Sequence, residues 1–439
     1  MASAGRAAVT ATVVAAAMAT TTAGAAAQQD PVVDWLEQTA VGLRTTDPRG
    51  PLEDLRPLGR MVAGASVVGL GESSHGSHEQ FRLKHRIARY LVEQRGFRTI
   101  AFEQDFAGGV AIDRYVVSGK GDPDALVRDM SSPMWAAEEI RELLLWMREY
   151  NRTHPEKVRF LGTDVLTLRE NSFTEVTGYV RRAAPERADE LEQDLALVRP
   201  TRPRYEHMRW YFGLPEQDKQ RLIAAARRVS ALVEGIPAKR PRLEREYAEQ
   251  HARAILGWYE NYVSPEMRPE RERFIADTIL WWQRLQRGRV AYWAASAHTA
   301  SAPVLTYRMP GESHTLTMAG GHLRERLGRR YVSVGVLFHH GVMTSDFTDF
   351  GPHPVSAPPP HIADAKFGAV SRPDFYVDLH ARAPLPVREW LDGPAQVRMI
   401  HPHYKEDDDG SGYVMVLESL SRAFDVLAHV RVSTPSTLL

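Results

Sequence analysis

The chain has 439 residues, of which 43% are hydrophobic and 25% are charged, a composition typical of globular proteins. Its 55 basic and 55 acidic residues give a formal net charge of zero, which offers no electrostatic basis for binding nucleic acid or an anionic membrane. The sequence has no cysteine, which excludes disulfides, thiolate nucleophiles and cysteine-ligated metals. A chain of this length can form one large domain with an insertion or two domains.

Residues 1–27 differ in composition from the rest of the chain. Arg6 carries their only charged side chain, Ala7 to Met18 is a run of mostly small apolar residues, and Ala25-Ala26-Ala27 forms an A-x-A cleavage pattern. These features are typical of a secretory signal peptide, so we predict export to the periplasm or the medium and a mature domain at 28–439. The alternatives are a disordered Ala/Thr-rich tail or a misassigned start of the chain. No other stretch is apolar enough to predict a stable membrane span.

A polar loop follows the first clear strand pattern. Val67–Leu70 is a short apolar run closed by glycine, which predicts a buried strand. Ser77, with Gln80 three residues later, forms a capping box and predicts the start of a helix. Glu72 and His75 therefore lie in a tight loop between the end of a strand and the start of a helix. In α/β proteins this is a common position for catalytic groups.

Three later strand patterns also end in polar residues. Arg98–Phe102 precedes Glu103-Gln104-Asp105, Val158–Leu161 precedes Asp164, and Arg289–Trp293 precedes His298. Because the carboxyl ends of parallel strands lie at one edge of a sheet, we expect these side chains to share a cleft with the Glu72–His75 loop. Each residue taken alone is explained as well by a helix cap, a salt bridge or a core histidine. Their joint position at strand ends favours an enzyme site.

The remaining pattern predicts the fold class. Between about residues 174 and 287 the periodicity is helical throughout and indicates four helices, at roughly 175–198, 216–234, 242–263 and 269–286. Strand patterns resume after this insertion, at Tyr331–Leu337, Asp374–Leu379, Val397–Ile400, Tyr413–Leu417 and Ala423–Val430. We therefore predict an α/β fold with a mostly parallel central sheet, flanking helices and a helical insertion.

Three other motifs are incomplete. The run from Gly69 to Ser74 approaches a dinucleotide-binding G-x-G-x-x-G, but Glu72 puts a carboxylate where a pyrophosphate would bind. An H-E-x-x-H motif begins at His78 and fails at Arg82, which excludes a zincin site. His401-x-His403 and Asp407-Asp408-Asp409-Gly410 predict a solvated turn, with a second metal site as the alternative.

The polar loop and several later motifs resemble the erythromycin esterase family. Gly71–Glu79 (GESSHGSHE) looks like the family signature G-E-x-x-H-G-x-x-E. The resemblance extends from about Glu53 to Pro435. Its further motifs include Lys84, Gly96-Phe97, the segments at 101–106, 146–151, 160–165, 271–276 and 322–328, and Phe424-Asp425.

The resemblance implies an α/β core with a helical insertion and a hydrolase that opens macrolide lactones. It implies that His75 is the general base that activates water and that Glu72 orients it, with Glu103, Arg271 and His298 lining the same cleft. The chain departs from the family motif A-H-N-x-H, since Ala294-Ala295-Ser296-Ala297-His298 keeps only the second histidine. Thr278 likewise stands where the family usually has asparagine.

From these patterns we predict a hydrolase of ester or lactone bonds that needs no cofactor and acts on a small-molecule substrate. Arg271 or His298 would stabilise the developing oxyanion. Asp105, Asp164 and Trp258 are predicted to contact the substrate, and the alternative for Trp258 is ordinary helix packing.

Two other functions remain open at this stage. In the first, Glu72, His75, Glu103 and His298 bind a divalent metal in a metal-dependent hydrolase. In the second, the protein is an exported ligand-binding protein without catalysis. The sequence does not indicate the oligomeric state.

Overall fold

The computed structural model describes Met1 and residues 30–237, 242–263, 269–345, 350–400, 403–404 and 412–439. Apart from Met1, the predicted signal peptide lies outside the described residues, so its cleavage and the export of the protein stay predictions. The described chain contains a large central sheet covered by helices, a long helical segment and a smaller antiparallel sheet.

The strands of the described residues alternate with helices through most of the chain. They are β1 (Val41–Gly42), β2 (Val67–Leu70), β3 (Phe97–Asp105), β4 (Arg159–Asp164), β5 (Arg289–Trp293), β6 (Leu305–Met309), β7 (Glu312–Leu316), β8 (Tyr331–Thr344), β9 (Pro352–Val355), β10 (Phe375–Asp378), β11 (Ala395–Arg398), β12 (Val414–Leu417) and β13 (Val426–Ser433).

The α-helices vary from single turns to five turns. They are α1 (Pro31–Thr39), α2 (Arg56–Met61), α3 (His78–Arg95), α4 (Phe106–Ser118), α5 (Pro123–Arg128), α6 (Glu138–Thr153), α7 (Glu170–Ala183), α8 (Ala188–Val198), α9 (Arg204–Phe212), α10 (Glu216–Glu234), α11 (Arg242–Asn261), α12 (Pro269–Gln286), α13 (Ser296–Thr299), α14 (Ala319–Leu327), α15 (Ala363–Gly368), α16 (Leu385–Asp392) and α17 (Leu420–Ala423). None of the described helices is both long and apolar enough to cross a membrane.

The central sheet has the strand order β1-β10-β13-β8-β2-β5-β3-β4, with β9 paired to the far end of β8. Neighbouring strands from β13 to β4 are parallel, which confirms the predicted α/β fold. The sheet is mixed, because β1, β10 and β9 pair antiparallel. All four residues of β2 are buried, as expected for a parallel strand covered on both faces. The four strands that end in the predicted site residues are direct neighbours, in the order β2-β5-β3-β4.

A second sheet, β11-β12-β6-β7, is entirely antiparallel. The sequence predicts β11 and β12 as strands but does not indicate that they leave the central sheet. It also misses the hairpin of β6 and β7, because β7 is short, polar and largely exposed. This small sheet provides one wall of the cleft described below.

The segment between β4 and β5 contains α7 to α12 and, within its described residues, no strand. The predicted helix at 175–198 is wrong as a single element. It breaks before Pro185, where Ala184 has non-helical dihedral angles and a short 3₁₀ turn separates α7 from α8, because proline disfavours helix at the residue before it. The helix α9 was not predicted. The segment has its own hydrophobic cluster, which includes Phe173, Tyr211 and Trp258, while its boundaries as a domain stay a prediction.

The helix α3 begins and ends as predicted. Ser77 Oγ accepts a hydrogen bond from the Gln80 backbone N–H at 3.3 Å, and Gly96 ends the helix with a φ of +72°, a value that glycine adopts without strain. The reciprocal half of the predicted capping box is wrong. Gln80 Oε1 instead accepts hydrogen bonds from Ser73 N at 2.8 Å and Ser73 Oγ at 3.0 Å, which ties the polar loop to the first turn of α3.

Candidate active site

The loop between β2 and α3 holds His75 against a carboxylate. His75 Nδ1 lies 2.8 Å from Glu72 Oε1, and the Glu72 side chain is fully buried. An ionised carboxylate only accepts hydrogen bonds, so Nδ1 carries the proton and Nε2 presents a lone pair. Among the described residues Nε2 has no hydrogen-bond partner. The ring of Trp135 packs edge-on against the imidazole, with 5.4 Å between centroids.

The surroundings keep His75 neutral at pH 7. Burial lowers the pKa of His75, the nearby positive charges of His298 and Arg271 lower it further, and the carboxylate of Glu103 opposes them. A neutral imidazole with one nitrogen fixed and the other free to accept a proton has the state required of a general base.

Lys84 lies behind Glu72 and was not predicted as a site residue. Its Nζ contacts Glu72 Oε2, donates to the carbonyl of Ala294 at 3.1 Å and lies 4.4 Å from the centroid of the Trp293 ring. Burial lowers the pKa of Lys84 well below its ordinary value. The side chain is fully buried. Lys84 falls in the apolar stripe of α3 between Phe81 and Leu91, and a charged residue in such a stripe was the signal in the sequence that could have identified it.

The second histidine of the cleft is held between two carboxylates. His298 Nδ1 lies 2.9 Å from Glu272 Oε2, and His298 Nε2 lies 3.3 Å from Glu103 Oε1. Burial would lower the pKa of His298, but Glu272 and Glu103 outweigh it and raise that pKa to about 10. Glu272 also accepts the backbone N–H of Ala319 at 3.0 Å. His298 is therefore an imidazolium at neutral pH.

Glu272 was missed by the sequence analysis, although it directly follows the predicted Arg271. It is fully buried in α12 and shares the apolar stripe of Ile275 and Ile279. As with Lys84, the signal is a charge on the buried face of a helix.

Arg271 is paired with carboxylates through two of its three guanidinium nitrogens. Its Nε and Nη2 donate to the two oxygens of Asp164 at 3.0 and 2.7 Å, and Nη2 also donates to Glu103 at 3.2 Å. Glu103 in turn accepts the backbone N–H of Ala295 at 3.1 Å. Burial would raise the pKa of Glu103, but the charge of His298, its contact with the Glu103 carboxylate and the charge of Arg271 hold that pKa well below its usual value. Arg271 and His298 thus bring positive charge to the cleft, and the N–H groups described above already point at protein carboxylates.

Most of the predicted site residues meet at one cavity of about 480 Å³. His75, Glu103, Arg271 and His298 line it, while Glu72 stands behind His75 and Asp164 behind Arg271. The opposite wall comes from the small sheet and the residues after β11. The further lining residues include Ser74, Trp135, Ala295, Tyr307, Met309, Met399 and Ile400.

A larger cavity of about 860 Å³ adjoins the first. Ser132, Leu166 and His403 line both cavities. Trp258 and Tyr262 of the helical segment form part of its mostly apolar wall, so Trp258 borders the cleft as well as packing in the helical core. We refer to the two as the inner and the outer cavity.

Asp105 does not reach either cavity. Its side chain caps α4 by accepting the Gly108 N–H at 2.7 Å, and it accepts further hydrogen bonds from Ser131, Gln104 and Arg169. The pairing of β3 with β4 is irregular between Phe102 and Asp105. Because a bulge turns the side chains after it, Asp105 points to a different side from Glu103. The structure therefore gives this residue a structural position.

The sequence contains two further histidine pairs, His339-His340 and His401-x-His403. His339 Nδ1 lies 2.9 Å from His340 Nδ1, and neither residue lines the two cavities. His403, expected in a solvated turn, lines both cavities. His401 and Asp407 to Gly410 lie outside the described residues.

A metal set of Glu72, His75, Glu103 and His298 does not match the geometry. Among the described residues, no group of three or more His, Asp or Glu side chains is arranged to hold a metal ion. Both ring nitrogens of His298 are engaged by carboxylates, and Nδ1 of His75 is engaged by Glu72. A metal at these residues would have to displace those hydrogen bonds.

Comparison with known proteins identifies relatives over most of the chain. A sequence model described as erythromycin esterase matches residues 92–433, a range that includes Glu103, Arg271 and His298 and begins after the His75 loop. The Escherichia coli protein named erythromycin esterase type II is 26% identical over 330 residues, which is 70% of this chain and 77% of that protein.

Two solved structures share the fold. A Bacillus cereus protein is 28% identical, with a TM-score of 0.81 over 93% of this chain and 98% of its own. An erythromycin esterase mutant in its open conformation is 18% identical, with a TM-score of 0.69 over 91% of this chain and 99% of its own. At that identity the second likeness shows the fold alone.

Proposed function

The chain belongs to the erythromycin esterase family, and from that premise we propose that it hydrolyses an ester or lactone bond with a water molecule activated by His75. The family and its named relatives support a hydrolase. One observation carries the finer proposal. His75 Nδ1 is fixed by Glu72 at 2.8 Å, while the ring itself lines the inner cavity.

In the proposed reaction, Nε2 of His75 takes a proton from water as the water oxygen bonds to the carbonyl carbon of the substrate. The imidazolium that forms keeps its Nδ1 proton and donates a hydrogen bond from it to Glu72, whose negative charge stabilises the cation. When the C–O bond of the ester breaks, the proton on Nε2 passes to the departing alkoxide. The products are a carboxylic acid and an alcohol, joined in one molecule when the substrate is a lactone.

Arg271 and His298 contribute positive charge at the inner cavity during this reaction. Since their described hydrogen bonds go to Asp164, Glu103 and Glu272, the charges are fixed before the substrate enters. Fixed charges need no reorganisation when negative charge develops on the carbonyl oxygen. This role differs from the direct oxyanion donor that the sequence suggests.

The outer cavity indicates which kind of substrate the site would accept. It is larger than the inner cavity, its wall includes Trp258, Tyr262 and Met208, and it shares Leu166 with the wall of the inner cavity. We assign it to the part of the substrate that does not react. Burying a bulky apolar group there supplies binding free energy, because apolar surface is removed from water.

Mass spectrometry tests the proposed reaction. The purified protein is incubated with a panel of macrolides, smaller lactones and carboxylic esters, with and without a chelator. We expect one or more substrates to gain the mass of one water, with no effect of the chelator. The variant His75→Gln should lose this activity, and His154→Gln, which changes an exposed histidine, is the matched control. If no compound of the panel is hydrolysed, the proposal is contradicted. Activity that is lost in chelator and restored by a divalent metal would favour the metal-dependent alternative.

A second variant tests the outer cavity. Trp258→Ala should lower kcat/KM for an ester with a bulky apolar group by roughly tenfold, within the range that pocket contacts contribute to discrimination. It should change kcat/KM for the acetyl ester of the same alcohol much less. Trp210→Ala is the control, because Trp210 belongs to the same aromatic cluster but does not line the outer cavity. An equal loss of kcat/KM for both esters would show that Trp258 does not contact the substrate.

A further inference from the structure

The residues after β13, Thr434–Leu439, run across the loop that carries His75. We call them the clasp. The Thr434 carbonyl accepts the His78 N–H at 2.9 Å, and the Ser436 N–H donates to the Gly76 carbonyl at 3.0 Å. Glu79 accepts the N–H and the hydroxyl of Thr434 at 2.7 and 2.6 Å. The clasp is thus hydrogen-bonded to the residues that directly follow His75.

The other half of the clasp binds the start of α6. The Glu138 N–H donates to the Thr437 carbonyl at 2.8 Å, and the Leu439 N–H donates to the Ala136 carbonyl at 2.8 Å. Glu139, a buried carboxylate, accepts the Thr437 N–H at 3.2 and 3.3 Å. These contacts fix the chain directly after Trp135.

Glu139 also connects the two halves. Its Oε1 lies 2.5 Å from His78 Nδ1, and this hydrogen bond raises the pKa of His78. When His78 carries a second proton, this contact is charge-assisted and stronger than a neutral hydrogen bond. One side chain therefore holds the first turn of α3, the start of α6 and the clasp together.

His75 lies between the two segments that the clasp joins. Gly76 is its neighbour in the chain, and Trp135 packs edge-on against its ring. The backbone of Thr344 on β8 closes over Gly76 so tightly that a side chain at this position would collide with it. The Thr344 N–H and the Ser436 N–H both donate to the Gly76 carbonyl at 3.0 Å. The loop is therefore fixed from β8 and from the clasp at the same carbonyl.

We propose that the clasp is a positioning element for His75, which keeps the imidazole between Glu72 and Trp135 with Nε2 available in the inner cavity. This inference rests on the proposed function for its catalytic meaning. The clasp lies just beyond the range that the family model matches, residues 92–433.

Two variants of the full chain test the clasp. Removal of residues 436–439 deletes the contacts with Gly76 and α6 but leaves those of Thr434. Glu139→Gln keeps the shape of the side chain and loses its charge. Glu138→Gln is the matched control, because Glu138 is adjacent on the same helix and its side chain is near Arg141 rather than the clasp.

The first measurement is hydrogen–deuterium exchange, which does not depend on a substrate. We expect faster exchange at residues 72–80 and 132–139 when 436–439 are removed, a smaller effect in Glu139→Gln and none in Glu138→Gln. Nuclear magnetic resonance should also show a higher His75 pKa in the shortened chain, because lost burial no longer disfavours the imidazolium. Unchanged exchange at 72–80 in both variants would overturn the proposal.

Activity then separates positioning from general stability. On a small ester that the full chain hydrolyses, we expect kcat to fall about tenfold in the shortened chain while KM changes little, since misplacement of a catalytic group affects the reacting state more than binding. Equal changes in kcat and KM, or none, would contradict positioning. If the shortened chain does not fold, Glu139→Gln decides the question. If the full chain hydrolyses nothing, the proposed function fails, while the exchange and titration results still decide whether the clasp holds His75.

Discussion

The loop after β2 and the helix after β5 each present a histidine to the same cavity, and they prepare it in opposite ways. His75 meets one carboxylate, at Nδ1, and burial lowers its pKa. His298 meets two carboxylates, one at each nitrogen, and its pKa is raised to about 10. Burial favours the neutral form of both imidazoles, and the two carboxylates outweigh it only at His298.

The difference between the two histidines also indicates how the charges around them influence each other. Glu103 and Glu272 stabilise the charge of His298, and that charge in turn helps to keep His75 neutral. A protonated His75 would place another cation beside His298 and Arg271, which like-charge repulsion disfavours. The two histidines are therefore coupled, and variants at one should change the other.

Replacing His75, the proposed base, gives the largest expected effect. His75→Gln should lower kcat/KM for any substrate found by about 10²–10⁴-fold, because positioned proton transfer contributes that range. The glutamine can still hydrogen-bond to Glu72, so the fold should be retained, as measured by circular dichroism and the thermal unfolding midpoint. Activity close to that of the unmodified chain would exclude His75 as the base, and unfolding would favour a structural role.

A smaller effect is expected from neutralising one of the two carboxylates beside His298. In Glu272→Gln, one of the two carboxylates that raise the His298 pKa is neutral, so this pKa should fall below about 10. Nuclear magnetic resonance titration of the histidine ring measures it directly, and hydrolysis should decrease by roughly tenfold as the fixed charge weakens. Asp277→Asn is the control, because the Asp277 carboxylate lies on the same helix and takes part in an exposed hydrogen-bonded pair. An unchanged His298 titration would show that Glu272 does not set its charge.

The smallest expected effect is on stability at alkaline pH. The pKa of His298 in the folded chain is about 10, raised from an ordinary value of 6.5. The stabilisation from its bound proton is therefore fully present below pH 6.5 and is lost as the pH rises toward 10. The thermal unfolding midpoint should fall between these pH values, and it should fall less in His298→Gln. Parallel falls in the two proteins would show that other groups dominate.

Several features of the site were predictable because they depend on local sequence. Strand patterns that end in Glu72, Glu103, Asp164 and His298 place these residues at one edge of a parallel sheet, and the structure brings them together as neighbours of one cleft. The helix that follows His75 was predicted from its cap and its apolar stripe, and both its ends are correct.

Other features of the site could not be predicted from the sequence, because they depend on contacts between distant segments. Asp105 follows the same strand as Glu103, but the irregular pairing with β4 turns it toward the start of α4. Lys84 and Glu272 lie in helical stripes that otherwise predict an apolar core. Each becomes understandable only when its partner is known, since a buried charge is tolerated where an opposite charge or a hydrogen bond meets it.

The class of fold, the loop that holds Glu72 and His75, and the chemical types of residue in the cleft can be predicted from the amino-acid sequence, because periodicity, caps and strand ends are properties of short segments. Which imidazole is neutral and which is charged follows from the folded arrangement, since it depends on carboxylates from β3 and α12 that lie far apart in the chain. The folded arrangement also decides that the small sheet and the helical segment enclose the inner and outer cavities. Charge state and cavity shape are set by desolvation and by packing across elements, and neither is a property of one segment.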